Sequence, residues 1–383
     1  MRPRGSRRGA VDVVPAEGAR RVPMRIGFEV SGVNTDRPTG MARYVQQLVP
    51  AIRARLHPGD SVMLWYKLSR LKYRRGWWRP ADLPLRVYQS AFWPIRKPVD
   101  LLHGLEGFAP NWRGARTVIT IQDLVVFKFE DASVSSERFR TAKWKMLTDV
   151  RRYVDAIVVI SETTKQDVVS LLDVDPGKIH VTYLGVDERF VPQEAGVIER
   201  VRAKYGLPDD YLLFVGQISG RKNTERLVEA FALSGAGDGF TLVLAGSLGR
   251  QGEKTLEAIR RRHLEKNVKI LGYVADSELP ALYTGAKGFL FPTIYEGFGL
   301  PILEAMACGT PVLTSNVGSA PEVSGEWAIN VDPYSVEEIA RGMEALLKVP
   351  AGRKDDARRY AQQFTWRRCA EQTLAVYERL LQG

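Results

Sequence analysis

Short apolar runs alternate with helical segments along almost the whole chain, and this alternation is the feature that most constrains the fold. In the first half, MRIGFEV precedes a helix over residues 41–56, strands follow near Val62, Val87 and Leu101, and TVITIQD, AIVVIS and IHVTYLG complete the series. In the second half, YLLFVGQ, TLVLAGS, VKILGYV, GFLFPT and PVLTSN are again separated by helices. Runs rich in Val, Ile and Leu are typical of strands covered on both faces, and a strand–helix–strand order produces parallel sheets. The pattern predicts an α/β fold with two doubly wound, Rossmann-like domains.

The series of strands restarts near the middle of the chain, which predicts two domains of similar size. After a basic extension over residues 1–23, we expect an N-terminal domain over 24–186, a hinge region over 187–205, a C-terminal domain over 206–364, and a helix over 365–383 that packs back toward the N-terminal domain. Ligands of open parallel sheets bind beyond the carboxyl ends of the strands. Two such sheets facing each other therefore predict a site in the cleft between the domains.

The charge of the chain is unevenly distributed. Its 55 Lys and Arg residues against 44 Asp and Glu residues give a net charge of +11. Residues 1–23 form a basic segment that we expect to be disordered, and residues 53–97 hold eleven Lys or Arg among Trp, Tyr and Phe side chains. Basic side chains interleaved with aromatic ones are typical of protein surfaces that bind nucleic acids or anionic membranes. Because no nucleic-acid recognition motif accompanies it, we expect an anionic membrane as a partner and no nucleic acid.

No apolar run approaches the roughly 18 residues that a membrane span needs, so attachment to a membrane would be peripheral. The two cysteines, Cys308 and Cys369, are too few for a disulfide framework or a zinc site. We therefore expect a cytoplasmic protein that binds reversibly to the inner face of the membrane. Asp173 and Asp175 have the spacing of a D-x-D manganese motif, but a Pro-Gly pair follows them, and Asp residues cap such turns. We expect no metal there.

The segment GFLFPTIYEGFGLPILEAMACGTPV, residues 288–312, carries the strongest functional signal. A strand leads into a Gly-rich loop, and Pro301 falls in the first turn of the following helix, where proline is favoured. Backbone amides at a helix start lack partners within the helix and favour negative or oxygen-rich groups. Glu296 precedes this helix and Glu304 lies inside it, so the two carboxylates can contact different parts of one ligand. In isolation they would be interpreted as a cap and a solvated side chain, but this context favours a sugar and a ribose.

The segment FVGQISGRKN, residues 214–223, is a strand followed by a Gly-containing loop and two cations at a helix start. A diphosphate leaving group needs its growing negative charge neutralised, and without a metal the protein has to supply the cations. Arg221 offers a bidentate fork and Lys222 a point charge. Combined with the glutamate loop, these residues predict a site for a nucleotide diphosphate.

The stretch EGFGLPILE resembles the E-x7-E motif of the retaining glycosyltransferases of family 4, which have the GT-B fold, and the resemblance covers the chain after the basic extension. It implies that Glu296 contacts the hydroxyls of a donor sugar, Glu304 binds the ribose and Lys222 binds phosphate. It also implies retention of anomeric configuration, a donor on the C-terminal domain, an acceptor on the N-terminal domain, and neither a metal nor another cofactor. The family often has Arg directly after the loop glycine, where this chain has Gln217. Arg221 is the expected replacement, and which cation contacts which phosphate stays open.

A further Gly-rich loop, GVNTDRPTGMARYV over residues 32–45, opens the first helix. Its Gly40 resembles the family glycine that approaches the donor, and an ordinary strand-to-helix turn is the alternative interpretation. The remaining donor-binding candidates are positions in the two C-terminal loops, namely Gly216, Gln217, Gly297, Phe298, Gly299 and Leu300.

The acceptor side contains a departure from the family pattern. TVITIQDLVVF resembles the segment where many relatives carry His-Asp close to the reacting sugar, but here the pair is Gln122–Asp123. Glutamine cannot act as an acid or base near neutral pH, although it can donate and accept hydrogen bonds to a sugar. His103, in DLLHGLEGF, also follows a strand. We therefore expect His103, Gln122 and Asp123 on the acceptor side of the cleft.

These features predict a retaining, metal-independent transfer of a hexosyl group from a nucleotide-diphosphate sugar to a glycan or lipid-linked glycan. The sequence looks most similar to bacterial mannosyl- and rhamnosyltransferase-like members acting on cell-surface polysaccharide, which favours GDP-mannose as donor and UDP-glucose as the second candidate. A nucleotide-sugar epimerase or isomerase on the same scaffold is the enzymatic alternative. A nucleic-acid-binding protein is the alternative from a different class, and it predicts an affinity that falls steeply with salt.

Overall fold

The computed structural model describes residues 22–33, 40–89, 99–129 and 136–382. Nearly all of the basic extension, most of the loop before Gly40 and the last part of the segment 53–97 lie outside these ranges. No helix within the described residues combines the length and apolarity needed to cross a membrane.

A parallel sheet of seven described strands forms the N-terminal half. The strands are β1 (Arg25–Glu29), β2 (Ser61–Lys67), β3 (Leu85–Tyr88), β4 (Leu101–Gly104), β5 (Arg116–Ile121), β6 (Ala156–Val159) and β7 (Ile179–Val181). Their order across the sheet is β3-β2-β1-β4-β5-β6-β7. Strands β4 and β6 are buried at every position, because helices cover both faces of the sheet.

The helices of this half are α1 (Gly40–Arg53), α2 (Val125–Lys128), α3 (Glu137–Val150) and α4 (Glu162–Leu172), with 3₁₀ turns at Leu68–Gly76 and Pro176–Lys178. Helix α1 buries Tyr44, Leu48 and Ile52, which recur at four-residue spacing along one face. The hydroxyls of Ser136 and Ser161 accept hydrogen bonds from backbone amides in the first turns of α3 and α4 and cap these helices.

A second parallel sheet, of six described strands, forms the C-terminal half. The strands are β8 (Tyr211–Val215), β9 (Thr241–Ala245), β10 (Val268–Gly272), β11 (Gly288–Phe291), β12 (Val312–Ser315) and β13 (Ile329–Val331). Their order is β10-β9-β8-β11-β12-β13. The two sheets confirm the predicted α/β fold with two doubly wound, Rossmann-like units.

The helices of the second half also follow the predicted alternation. They are α5 (Ala195–Tyr205), α6 (Thr224–Leu233), α7 (Gly252–Arg261), α8 (Leu279–Gly285), α9 (Leu300–Ala307), α10 (Ala320–Ser324), α11 (Val336–Leu346), α12 (Ala351–Ala361) and α13 (Trp366–Gln382), with 3₁₀ turns at Ala236–Asp238 and Gly325–Trp327. The last helix, α13, packs against α1 and so returns to the first half of the molecule. The two segments that connect the halves lie side by side. The Val186 amide in the first segment donates a hydrogen bond to the Phe364 carbonyl in the second at 2.9 Å.

The aromatic residues of the basic segment divide between core and surface. Trp77 is buried and stacks on Tyr66 with ring centroids 4.2 Å apart, and Trp78 is half-buried against the same core. Within the 3₁₀ turn Leu68–Gly76, by contrast, Leu71 and Tyr73 are exposed among basic side chains. The two tryptophans therefore stabilise the N-terminal domain. Among the described residues of the segment, the exposed large apolar side chains lie in the turn, and Arg79 is exposed just after it.

Candidate active site

A cluster of one carboxylate and two cations lies where two neighbouring strands end. Strands β8 and β11 pair with each other, and Arg221 and Lys222 follow the first while Glu296 follows the second. The Glu296 carboxylate accepts a hydrogen bond from Arg221 at 2.7 Å and forms an ion pair with Lys222 Nζ at 2.8 Å. Arg221 also donates to the Tyr295 carbonyl at 2.9 Å, which fixes its guanidinium. The structure thus brings Glu296 together with Arg221, which lies 75 positions earlier in the sequence, and with the adjacent Lys222.

The charges of this cluster are strongly coupled. Burial acts to raise the pKa of Glu296, but the charges of Arg221 and Lys222 and their hydrogen bonds outweigh it, and the pKa lies below its ordinary value. Burial lowers the pKa of Lys222, although the Glu296 carboxylate opposes this shift. The Lys222 ammonium also lies 4.6 Å from the centre of the Phe291 ring, a favourable cation–π distance. The cluster is therefore a desolvated, net positive site that can attract a diphosphate.

The loop after Glu296 connects this cluster to the first half of the molecule. Gly299 directly precedes α9 as its N-cap and has φ at +105°, a backbone conformation that favours glycine. A Cβ atom on Gly297 would lie only 2.3 Å from the Gln122 carbonyl oxygen and 2.9 Å from Asp123 Cβ. The Ser161 hydroxyl also donates to the Gly297 carbonyl at 2.7 Å. The loop is thus in direct contact with the segment that follows β5.

Glu304 lies on α9 and is almost completely buried. It accepts a hydrogen bond from the Tyr283 hydroxyl at 3.0 Å and pairs with Arg43, on α1 of the opposite domain, at 3.4 Å. Arg43 also forms an ion pair with Asp276. Burial raises the pKa of Glu304 despite the nearby Arg43 charge. Sequence reasoning missed Arg43, Tyr283 and Asp276, although Arg43 lies within the Gly-rich segment after β1 and could have been found as a cation in the first turn of α1.

The remaining donor-side candidates lie in the first turn of α1, after β8 and in the loop that follows Glu296. Gly40 is the first residue of α1 and is exposed, with no described atom within 4 Å of the position that a Cβ would take. Gly216 follows β8, and Gln217 is exposed beside it. Phe298 is buried, and Leu300 is the first residue of α9. The structure brings Gly297, Phe298, Gly299 and Leu300 together with Glu296.

His103 does not face the cleft, and this corrects our expectation. It lies on β4 and is fully buried, with its ring nitrogens 2.5 Å from the Tyr377 hydroxyl and 2.8 Å from the Thr120 hydroxyl. Burial lowers the pKa of His103 to about 3. The reason is its place inside a strand: its side chain points into the core beneath α13 and not beyond the strand end. His103 is therefore a structural residue that ties α13 to the sheet.

Gln122 and Asp123 do lie at the contact between the two halves. They follow β5, and their backbone meets Gly297 across the cleft. The Asp123 carboxylate accepts a hydrogen bond from the Val125 amide at 3.2 Å and contributes to the electrostatic environment of Lys222. Among the acceptor-side candidates, these two residues are therefore next to the cationic cluster.

The Asp173–Asp175 pair has the structural role that its context predicts. Asp173 ends α4 in the left-handed region with φ at 51°, and the Asp175 carboxylate accepts a hydrogen bond from the Gly177 amide at 2.9 Å. Among the residues that the structure describes, no three His, Cys, Asp or Glu side chains are grouped so that they could hold a metal ion.

Comparison with known proteins places this fold and site in a class. The model for Glycosyltransferase Family 4 matches residues 38–190, and the model for Glycosyl transferases group 1 matches residues 197–364. The chain is 32% identical over 295 residues to O-antigen chain mannosyltransferase B of Escherichia coli, covering 75% of this chain and 77% of the relative.

Solved structures resemble the chain over nearly its whole length. Sucrose-phosphate synthase from Thermosynechococcus elongatus has a TM-score of 0.71 at 21% identity, over 93% of this chain and 99% of that one. Anabaena HepE in complex with UDP and glucose has a TM-score of 0.71 at 17% identity, again over 93% and 99%. The fold and these likenesses define a GT-B glycosyltransferase, an enzyme that transfers a sugar. More narrowly, the chain belongs to glycosyltransferase family 4, which confirms the resemblance stated from the E-x7-E motif.

Proposed function

We propose that the enzyme transfers a hexosyl group from a nucleotide-diphosphate sugar to a glycan or lipid-linked glycan, with retention of configuration and without a metal. The observation that carries this proposal is the Arg221–Glu296–Lys222 cluster at the carboxyl ends of β8 and β11. Two partly buried cations next to a carboxylate are suited to a diphosphate joined to a polyhydroxylated ring. The C-terminal domain, residues 206–364, would bind the donor, and the N-terminal domain, residues 24–186, would bind the acceptor.

The proposed reaction is a front-face substitution at the anomeric carbon. The bond from that carbon to the β-phosphate oxygen breaks, and a bond to the acceptor oxygen forms on the same face. The acceptor proton passes to the departing phosphate oxygen, so that no protein base is required. Arg221 and Lys222 stabilise the charge that develops on the diphosphate, and Glu296 turns from these cations to the hydroxyls of the sugar. Glu304 would accept hydrogen bonds from the ribose in place of its present contact with Arg43.

Mannose is the proposed sugar, and the support comes from relatives. The Escherichia coli relative is named an O-antigen chain mannosyltransferase, which favours GDP-mannose and a role in polysaccharide biosynthesis. UDP-glucose stays the second candidate. At a fixed ligand concentration, a donor that binds more tightly raises the melting temperature further, so a panel of nucleotide sugars tested by thermal shift identifies the base and the sugar.

We also propose that the acceptor is met at an anionic membrane, on the cytoplasmic side. The exposed 3₁₀ turn Leu68–Gly76 supports this, because it carries Arg70, Lys72, Arg74 and Arg75 around exposed Leu68, Leu71 and Tyr73. Basic side chains near anionic lipid contribute about 1 kcal/mol each. Apolar and tyrosine side chains between them suit the headgroup interface.

The experiment that tests the function measures nucleotide-diphosphate release with and without an oligomannose acceptor. Release that depends on the acceptor, together with a longer product, supports transfer. Conversion of the nucleotide sugar into an isomer without acceptor would instead support an epimerase. Lys222→Ala should weaken nucleotide-diphosphate binding by about 1–3 kcal/mol, the value of a lost charged hydrogen bond. An unchanged affinity for GDP in this variant would contradict the assignment of the diphosphate site.

A further inference from the structure

A cavity of about 680 Å³ lies in the N-terminal domain, at the carboxyl ends of β1, β2 and β4. Its walls include Lys67, Glu106, Phe108 and Met146. A smaller cavity of about 50 Å³ reaches Thr120, Gln122 and Asp123, and it shares Met41, Glu106 and Lys143 with the larger one. Because these three residues line both cavities, the two spaces adjoin. They form a path from the surface of the N-terminal domain to the segment that contacts Gly297.

Two residues that line the smaller cavity carry polar atoms without partners. Glu106 Oε1 and Gln122 Nε2 are inaccessible to solvent, and neither has a hydrogen-bond partner among the residues that the structure describes. The other side of the Glu106 carboxylate is held by the backbone of Gly32. Buried polar groups are nearly always hydrogen-bonded in native proteins, so two unsatisfied groups on residues that line one cavity favour a polar ligand there.

The two orphaned atoms are complementary to a hydroxyl group. A carboxylate oxygen accepts a hydrogen bond, an amide nitrogen donates one, and a hydroxyl is the small neutral group that can both donate and accept. A phosphate or carboxylate would be repelled by Glu106. Burial, and then the charge of Glu29, raise the pKa of Glu106 to about 7, as expected for a carboxylate whose hydrogen-bonding capacity is not filled.

We propose that Glu106 and Gln122 turn toward the smaller cavity and bind one hydroxyl group of a neutral acceptor sugar, with Glu106 accepting its hydrogen bond and Gln122 donating to its oxygen. This inference rests on the proposed function and specifies its acceptor side. The sugar would enter through the larger cavity, against the apolar surfaces of Phe108 and Met146, and its reactive end would approach the cleft beside Gly297. Glu106 and Gln122 would thus determine which hydroxyl of the acceptor is presented to the donor.

The first test uses the variants Glu106→Gln and Gln122→Met, with α-linked mannotriose as acceptor and GDP-mannose as donor. We expect the acceptor KM to rise about tenfold or more, while the thermal shift caused by GDP stays unchanged. Glu137→Gln is the control, because it makes the same change from carboxylate to amide at an exposed position on α3 of the same domain and Glu137 lines neither cavity. It should keep the acceptor KM within about twofold. An unchanged KM in both test variants would overturn the proposal.

The second test uses the wild-type enzyme and therefore does not depend on how the variants fold. Monodeoxy analogues of mannotriose are compared as acceptors, and one deoxy position should lose about tenfold or more in kcat/KM. That loss should become smaller in Glu106→Gln, because a neutral amide oxygen then replaces the charged oxygen that accepts the hydrogen bond. Equal activity of all analogues would mean that water alone fills the pocket, and it would overturn the proposal. If the wild-type enzyme binds GDP but transfers no sugar to mannotriose, the proposal of a neutral acceptor is wrong. If it binds no nucleotide at all, the proposed function is wrong.

Discussion

The substitution Gly297→Ala tests whether catalysis requires the close contact between the two domains. The new Cβ would lie 2.3 Å from the Gln122 carbonyl oxygen, whereas ordinary contact begins at 3.4 Å. The Cβ would therefore lie about 1 Å closer to this oxygen than ordinary contact allows. The oxygen belongs to the backbone of the segment that follows β5. Neither partner can rotate away, so the domains have to separate by roughly this distance.

The expected effect on activity is large and the effect on folding small. A misplacement of 1 Å can cost about 100-fold in rate, because reacting groups have to be aligned within a few tenths of an ångström. The hydrogen bond from Ser161 to the Gly297 carbonyl at 2.7 Å would also be weakened, at a net cost of about 1 kcal/mol. The clash lies between the domains, outside either core, so each domain should fold normally.

The assay is the kcat/KM for sugar transfer, together with the melting temperature and the thermal shift caused by GDP. We expect Gly297→Ala to lose about 100-fold in kcat/KM while it keeps its affinity for GDP. Gly352→Ala is the matched control, since no described atom lies within 4 Å of its new Cβ and the residue is exposed on α12. If Gly297→Ala transfers sugar within twofold of the wild type, the reasoning from domain contact is wrong.

The other predictions concern the site, metals, pH and the membrane. Glu296→Gln keeps the shape of the side chain but removes the charge that pairs with both cations, so kcat should collapse while circular dichroism stays unchanged; near-normal transfer would reject the site. EDTA should leave transfer intact because protein cations neutralise the diphosphate, and a loss that manganese or magnesium restores would contradict this. His103 has its pKa lowered to about 3 from 6.5, so it contributes stability that is present above pH 6.5 and lost as the pH falls toward 3. Between pH 7 and pH 5 this loss amounts to about 2 kcal/mol of unfolding free energy. Urea denaturation at the two pH values should therefore show a decrease in unfolding free energy that is about 2 kcal/mol smaller for His103→Gln than for the wild type. The triple change of Arg74, Arg75 and Arg79 to Glu should abolish co-sedimentation with anionic liposomes at low salt; binding equal to that of the wild type would remove the proposed membrane surface.

Several features of this protein followed from local sequence alone. The alternation of apolar strands and helices predicted both sheets, because buried parallel strands need continuous apolar runs. The E-x7-E segment predicted the family, since a Gly-rich loop between a strand and a helix has a recognisable pattern of residues. Glu296, Arg221 and Lys222 follow strands that were identified in sequence, and the rule for parallel sheets predicted that such residues would meet. Their pairing at 2.7 and 2.8 Å agrees with that expectation.

Other features were decided only by the tertiary structure. His103 and Glu106 lie in the same short stretch, DLLHGLEGF, and sequence reasoning chose the histidine. The strand extends to Gly104, so His103 points into the core beneath α13, while Glu106 lies beyond the strand end and lines a cavity. Similarly, Arg43 meets Glu304 although 261 positions separate them. Local patterns determine which residues form a strand or a helix, but the side on which a side chain emerges, and what it meets there, depend on how distant elements pack.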